Sequence, residues 1–264
     1  MCRFAAYFGH EKILLDELLS KPKNSLVKQS HKSIEGIHGI NADGFGVAWY
    51  NFDISSSPGI FKSTQPAWND NNLMHLSQKI KSSCFLAHVR ASTVGDVNQN
   101  NCHPFDFQKY SMVHNGTIRH FERYKRKVID ELDNELFLNI KGNTDSEYFF
   151  FLIMNFIKQG STLENSVKKA IDWIVNVQEQ CDGFSRINIV ITNGDELIAT
   201  RFVSKGKKSL SLKYLPKIDT SNKVSSLVIS SESLSDDGTI WDELPENHYL
   251  HINKNSMKPR VEKI

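Results

Sequence analysis

The sequence predicts an α+β fold built on antiparallel sheets, and two observations carry that expectation. Strand-like segments come first, two strong helical segments follow in the middle, and strand-like segments return afterwards, an order unlike the regular alternation of a parallel α/β sheet. In the last group, Asn193-Gly194 stands between two apolar runs, a strong signal for a hairpin joining antiparallel neighbours.

Taken in order, residues 3–8 are short, aromatic-rich and followed by Gly9, which reads as a strand. Ile13, Leu14, Leu15, Leu18 and Leu19 offer the apolar face of a short helix. Residues 45–50 and 84–89 read as buried strands, and 112–114 as a shorter one. The polar stretch 51–72, with Ser55-Ser56-Ser57-Pro58-Gly59, reads as hairpin turns around a short strand. Residues 72–81 and 119–132 have helical composition. Thr144-Asp145-Ser146-Glu147 has the form of a capping box before the apolar run that begins at Tyr148, and a second helix spans 163–178. Strands are then expected at 187–192, 197–202, 210–214, 224–230 and 249–252.

Composition narrows the class without naming the chemistry. A chain of 264 residues buries roughly 70–75% of its unfolded surface, enough for a core without staples. With 32 Lys+Arg against 30 Asp+Glu, the net charge of +2 creates no global field for nucleic acid or an anionic membrane. Cys2, Cys84, Cys102 and Cys181 form no CxxC pair and no zinc-ligand spacing, so they suit a reducing compartment, and no metal or cofactor is expected. The N-terminus lacks the apolar run of a signal peptide, and the longest apolar stretch, 148–157, is short of the roughly 20 residues that span a bilayer. With no repeat and no linker, the expectation is a soluble, cytoplasmic, single-domain protein.

Cys2 is the first candidate for chemistry. Removal of Met1 would leave a cysteine carrying both a thiol and a free α-amine, whose ordinary pKa values of about 8.5 and about 7.7–8.0 let the amine take the thiol proton near neutrality. An incidental buried strand residue is the bland alternative.

The rest of the sequence bears on that choice. Behind Met1-Cys2-Arg3 come Asn41-Ala42-Asp43-Gly44-Phe45-Gly46, then His88-Val89-Arg90-Ala91-Ser92-Thr93 and Asn101-Cys102-His103-Pro104-Phe105. His114-Asn115-Gly116, Asn143-Thr144-Asp145-Ser146-Glu147 and a late Ser230-Ser231-Glu232-Ser233-Leu234 with Trp241 follow. In this order the segments resemble the class II glutamine amidotransferases, whose glutaminase domain is of the N-terminal-nucleophile hydrolase type, and the late segment resembles the tail of stand-alone members. The resemblance implies a four-layer αββα sandwich of antiparallel sheets, one glutaminase-like domain over residues 2–264, and removal of Met1.

The resemblance also implies roles. Cys2 would be the nucleophile, with the Asn115 side-chain amide and the Gly116 N–H as the oxyanion hole. Arg90 and Thr93 would hold the substrate α-carboxylate, and Asp145 its α-ammonium. Each has a plainer reading: Arg90 as a strand-end salt bridge, Thr93 as a loop hydroxyl, Asn115-Gly116 as a tight turn, and Asp145 as an acid in the first turn of a helix. Asp43-Gly44-Phe45-Gly46 reads as a backbone-tight strand entry, not a phosphate loop. Cys84, Cys102 and Cys181 read as buried thiols, and Arg119, Arg123, Lys125, Arg126 and Lys127 as a solvated helix face.

The activity so implied is hydrolysis of the glutamine side-chain amide through a γ-glutamyl thioester, with ammonia released to an unidentified acceptor or partner, a separate synthase subunit being one candidate. Hydrolysis of another γ-glutamyl amide, as in stand-alone relatives of ergothioneine synthesis and glutathione breakdown, is the alternative, and a catalytically silent binding subunit a third. Synthase-fused members often carry Trp after the arginine; Ala91 stands there, which weakens any inference about ammonia channelling. The partner expected on this reading is a small γ-glutamyl molecule, not nucleic acid or a membrane.

Overall fold

In the computed structural model, residues 2–35, 40–92, 95–180, 182–235 and 237–264 are described. Their strands are β1 (Arg3–Leu14), β2 (Phe45–Asn51), β3 (Ser55–Ser63), β4 (Lys81–Val89), β5 (Phe105–Phe107), β6 (Tyr110–Ile118), β7 (Ser185–Thr192), β8 (Glu196–Val203), β9 (Lys213–Ile218), β10 (Val224–Ser230), β11 (Asp242–Glu243), β12 (His248–Asn253) and β13 (Arg260–Lys263). The helices are α1 (Asp16–Leu19), α2 (Leu26–His31), α3 (Asn71–Ser77), α4 (Phe121–Glu131), α5 (Asn134–Leu138), α6 (Asp145–Lys158) and α7 (Leu163–Gln178). One sheet has the order β11-β9-β10-β1-β4-β2-β3 and the other β13-β12-β8-β7-β6-β5, with antiparallel pairing throughout.

Side-chain alternation along the strands builds the layers. Phe4, Ala6 and Phe8 of β1 and Cys84 and Leu86 of β4 meet Val113, Val190, Leu197 and Ala199 between the sheets. Their neighbours Ala5, Tyr7, Phe85 and Ala87 face the other way, onto Leu18 and Leu19 of α1, Leu26 of α2 and Leu73 of α3. Ile187, Ile189 and Ile191 of β7 likewise face α4, α6 and α7. The result is the expected αββα sandwich. Helix α6 is apolar on every side because it is enclosed on every side, with Tyr148 through Phe156 all buried. Among the described residues no helix is long and apolar enough to cross a membrane.

Several boundaries differ from the sequence reading. Ile13 and Leu14 extend β1 and pair with Ser82 and Lys81, so the helix expected there begins only at Asp16. The helix expected over 72–81 ends at Ser77, because Lys81 already opens β4. The strand expected at 210–214 begins at Lys213, since the Leu210 and Ser211 carbonyls accept from the Asn188 side chain. Asn115-Gly116 is no turn: both residues lie inside β6, opposite Asn188 and Ile187 of β7.

Candidate functional site

The start of β1 is held from three sides. Arg3 Nε sits 2.7 Å from Glu232 Oε1 and its Nη1 donates to the Cys2 carbonyl at 2.8 Å, both charges being buried. Glu232 also accepts from the backbone N–H groups of Ile34 and Glu35, so both oxygens of this buried carboxylate are hydrogen-bonded. The Phe4 N–H donates to Ser231 Oγ at 3.1 Å, and the Ser231 N–H donates to the Phe4 carbonyl. The serine-glutamate segment after β10 therefore clamps the residue next to Cys2. Cys2 itself is half-buried, its Sγ 3.5 Å from the Ala91 carbonyl. Burial pushes its thiol above the ordinary range, and the Arg90 and Arg3 charges oppose that shift.

Arg90 follows the last residue of β4 and is buried, with its N–H on the Gly44 carbonyl at 2.8 Å. Its guanidinium donates to the carbonyls of Asp96 and Gly95 and to Ser92 Oγ. Asp43 Oδ2 accepts from the Ser92 N–H at 2.7 Å and pins the same loop. The backbone-tight strand entry is borne out: Gly44 has φ +111°, and a Cβ there would lie 2.6 Å from Cys102 Sγ. Cys84 and Cys102 are buried thiols as expected; Thr93 and Cys181 lie outside the described residues.

The free edge of β6 supplies the opposite wall. His88 Nε2 donates to the His114 carbonyl, and the Ile118 N–H donates to Asp145 Oδ2 at 2.8 Å, so both residues turn these groups away from β7. Strand alternation gives the Gly116 N–H, midway between them, the same direction. No other residue fits there, since a Cβ at Gly116 would lie 1.9 Å from the Arg186 carbonyl. Asn115 faces the inter-sheet layer; its Nδ2 donates to Ser231 Oγ at 3.4 Å, and among the described residues its Oδ1 has no hydrogen-bond partner. Asp145, first residue of α6, accepts from the Ser146 N–H at 2.8 Å through its other oxygen. Cys2, Arg90, Gly116 and Asp145 line one small cavity of about 20 Å³, room for a water or two.

Three histidines that the residue-by-residue reading left without a role lie against this cavity or behind it. His88 and His103 stack with centroids 4.1 Å apart, and burial drives both below their ordinary pKa, His88 to about 3. Among the described residues both ring nitrogens of His103, which lines the cavity, lack a hydrogen-bond partner. His114 is also lowered by burial; its Nε2 donates to the Arg186 carbonyl, which leaves Nδ1 to accept from the Ser146 hydroxyl at 2.7 Å. Their positions in the motifs were the available signal. Asn101 joins the two motif loops, its Nδ2 donating to Asn143 Oδ1 and its Oδ1 accepting from the Asn143 backbone N–H, both at 2.9 Å.

Known proteins are similar to this chain in sequence and in fold. Residues 25–216 match the family described as class-II glutamine amidotransferases. The yeast protein named "Probable glutamine amidotransferase DUG3", from Saccharomyces cerevisiae, is 32% identical over 97% of this chain and 83% of its own length. A gamma-glutamyl-hercynylcysteine sulfoxide hydrolase of Mycolicibacterium smegmatis is 26% identical over 96% of both chains. Among solved structures, a glutamine aminotransferase class-II domain protein from Silicibacter pomeroyi superposes with a TM-score of 0.73 at 24% identity, covering both chains fully. An allosteric regulatory enzyme of purine biosynthesis superposes at 0.67 with 17% identity, this chain matching 49% of its length. The chain belongs to the class II glutamine amidotransferases, a family of enzymes on the N-terminal-nucleophile hydrolase fold.

Proposed function

We propose that the protein hydrolyses a γ-glutamyl amide bond with the thiol of Cys2, that Met1 is removed, and that residues 2–264 form one glutaminase-like domain. The observation that carries this reading is the convergence of Cys2, Arg90, Gly116 and Asp145 on one cavity. The free α-amine of Cys2 takes its own thiol proton, directly or through a water. The thiolate attacks the γ-carbonyl carbon, and the developing oxyanion accepts from the Gly116 N–H and the Asn115 side-chain amide. The α-ammonium returns the proton to the leaving nitrogen as the C–N bond breaks. Water then hydrolyses the thioester to glutamate and restores the thiol.

Arg90 is assigned the α-carboxylate, together with Thr93, and Asp145 the α-ammonium. The Asp96, Gly95 and Ser92 oxygens that the Arg90 guanidinium bonds are neutral, and a carboxylate outcompetes them through charge-assisted, bidentate bonds. The free thiols of Cys2, Cys84 and Cys102 suit a reducing, cytoplasmic setting.

Glutamine is one substrate of this chemistry, its ammonia going to a separate acceptor subunit. A γ-glutamyl amide with a larger leaving group is the second, favoured by the full-length similarity to a γ-glutamyl hydrolase. Glutamate release from a panel of glutamine and γ-glutamyl amides tests both, after intact mass has established Met1 removal. Turnover with a γ-glutamyl adduct on Cys2 is expected. No turnover by the processed protein on any of them would leave the silent binding subunit as the better account.

A further inference from the structure

The Asn115 side chain and the start of β1 meet at one serine. Cys2, one residue before β1, continues the parity of Phe4, Ala6 and Phe8, and Asn115 has the parity of Val113. Strand alternation therefore turns the thiol and the amide into the same layer between the sheets. Asn115 is buried there, and among the described residues Ser231 Oγ, 3.4 Å from its Nδ2, is the one hydrogen-bond partner of its side chain.

Ser231 is itself immobilised. Its Oγ also accepts from the Phe4 N–H at 3.1 Å, its N–H donates to the Phe4 carbonyl at 3.0 Å, and its carbonyl accepts from Ser211 Oγ at 2.9 Å. The Ser211 carbonyl accepts in turn from Asn188 Nδ2 at 3.1 Å, and Asn188 stands opposite Asn115 in the β6–β7 pairing. The contacts close a ring from Asn115 through Ser231, Ser211 and Asn188 back to Asn115. Ser231 and Asn188 are buried, so water does not compete for these groups. One serine hydroxyl thus ties the strand that follows the nucleophile to the strand that carries the amide.

The shape of a primary amide gives this tie a chemical consequence. Its two N–H bonds lie in one plane at a fixed angle, so an acceptor that holds one sets the direction of the other. The Asn115 carbonyl oxygen, without a partner among the described residues, does not hold that plane. The Gly116 N–H needs no such support, because the pairing of β6 with β7 aims it. Of the two donors assigned to the oxyanion, only the side chain depends on a neighbour.

We propose that Ser231 is the positioning residue of the oxyanion hole. Its Oγ holds one N–H of Asn115 so that the other meets the γ-carbonyl oxygen as that oxygen becomes negative. This role rests on the Cys2 hydrolase reading and adds to it a residue that touches no substrate. Ser231 acts on the chemical step and leaves the amino-acid end to Arg90 and Asp145.

The test is a double-mutant cycle on the processed enzyme with the best substrate of the γ-glutamyl panel. Ser231→Ala should lower kcat about five- to tenfold, the worth of one neutral hydrogen bond, and leave KM within about twofold. Asn115→Ala removes the donor itself and should lower kcat about a hundredfold or more. In the double variant kcat should equal that of Asn115→Ala, because Ser231 has nothing left to position. A serine that only braces β1 would lower kcat by the same factor in both backgrounds. That result overturns the proposal, as does Ser231→Ala with unchanged kcat or with a loss in KM alone. If Ser231→Ala does not fold, Ser231→Cys keeps the side-chain size with a weaker acceptor. Its smaller loss should again vanish beside Asn115→Ala, and a loss that persists there counts against the role. Wild-type protein that turns over no γ-glutamyl compound overturns the hydrolase reading and this role together. Turnover with additive losses removes the role alone.

Discussion

The wall that holds Cys2 and the cleft beside it handle charge in opposite ways. In the wall Arg3, Glu232 and Asp145 are buried, and each is met by protein donors or acceptors at short range. In the cleft, which runs along residues 116–121 and shares Gly116 with the Cys2 cavity, Arg119, Lys125 and Arg186 keep contact with water and, among the described residues, have no carboxylate partner. The difference follows from the cost of desolvation. A buried charge persists only when the protein itself satisfies it, so it positions backbone; an unpaired charge persists only where water reaches it.

The strongest test of the wall is Cys2→Ala. If Cys2 is the nucleophile, glutamate release should fall by about a thousandfold or more, with no γ-glutamyl adduct in intact mass. Next comes Glu232→Gln, which leaves Arg3 buried beside a neutral amide. Removing one partner of such a pair costs about 3–5 kcal/mol, to be read from the urea midpoint at constant slope. An unchanged midpoint would mean the pair is not what holds the start of β1.

The buried histidines give a smaller effect with a definite sign. His88 binds a proton near 6.5 when unfolded and only near 3 when folded, so its stability contribution is complete above about pH 6.5 and declines as pH falls toward 3. At pH 5 that amounts to about 2 kcal/mol for His88 alone, with His103 and His114 adding in the same direction. Denaturant midpoints at pH 7 and pH 5 measure it, and His88→Phe should flatten the profile. The smallest effect is Thr144→Ala. Loss of the cap on the Glu147 N–H should cost about 1 kcal/mol by the same measurement.

Local chemistry explains which parts of the fold were legible in advance. Helix α7 occupies the expected residues because a Thr162 cap and a clear apolar period mark it without help from the rest of the chain. The β7–β8 hairpin turns at Asn193-Gly194, where Asn193 Oδ1 accepts from the Asp195 and Glu196 N–H groups and Gly194 has φ +86°. The capping box is half-formed: Thr144 caps Glu147, but the Glu147 carboxylate turns to the Lys141 and Gly142 N–H groups instead of the Thr144 N–H. The tight turn that Asn115-Gly116 offers as its plainer reading does not form, because the dipeptide preference is weaker than eight residues of pairing with β7.

By itself the sequence determined the alternation of apolar residues, the caps, and the order of motifs behind Cys2, hence the layered sandwich and the family. These are local or one-dimensional properties, and they survive without knowledge of distant contacts. Only the tertiary structure decided that Glu232 grips Arg3 across 229 positions of chain. It alone aimed the Gly116 N–H beside Asp145 at the edge of β6, and it alone sorted one basic run, with Arg119 and Lys125 lining the cleft and Arg126 paired along α4 with Asp130. Those outcomes depend on which strand edge is left unpaired and which charges water still reaches, and both are fixed when the sheets close.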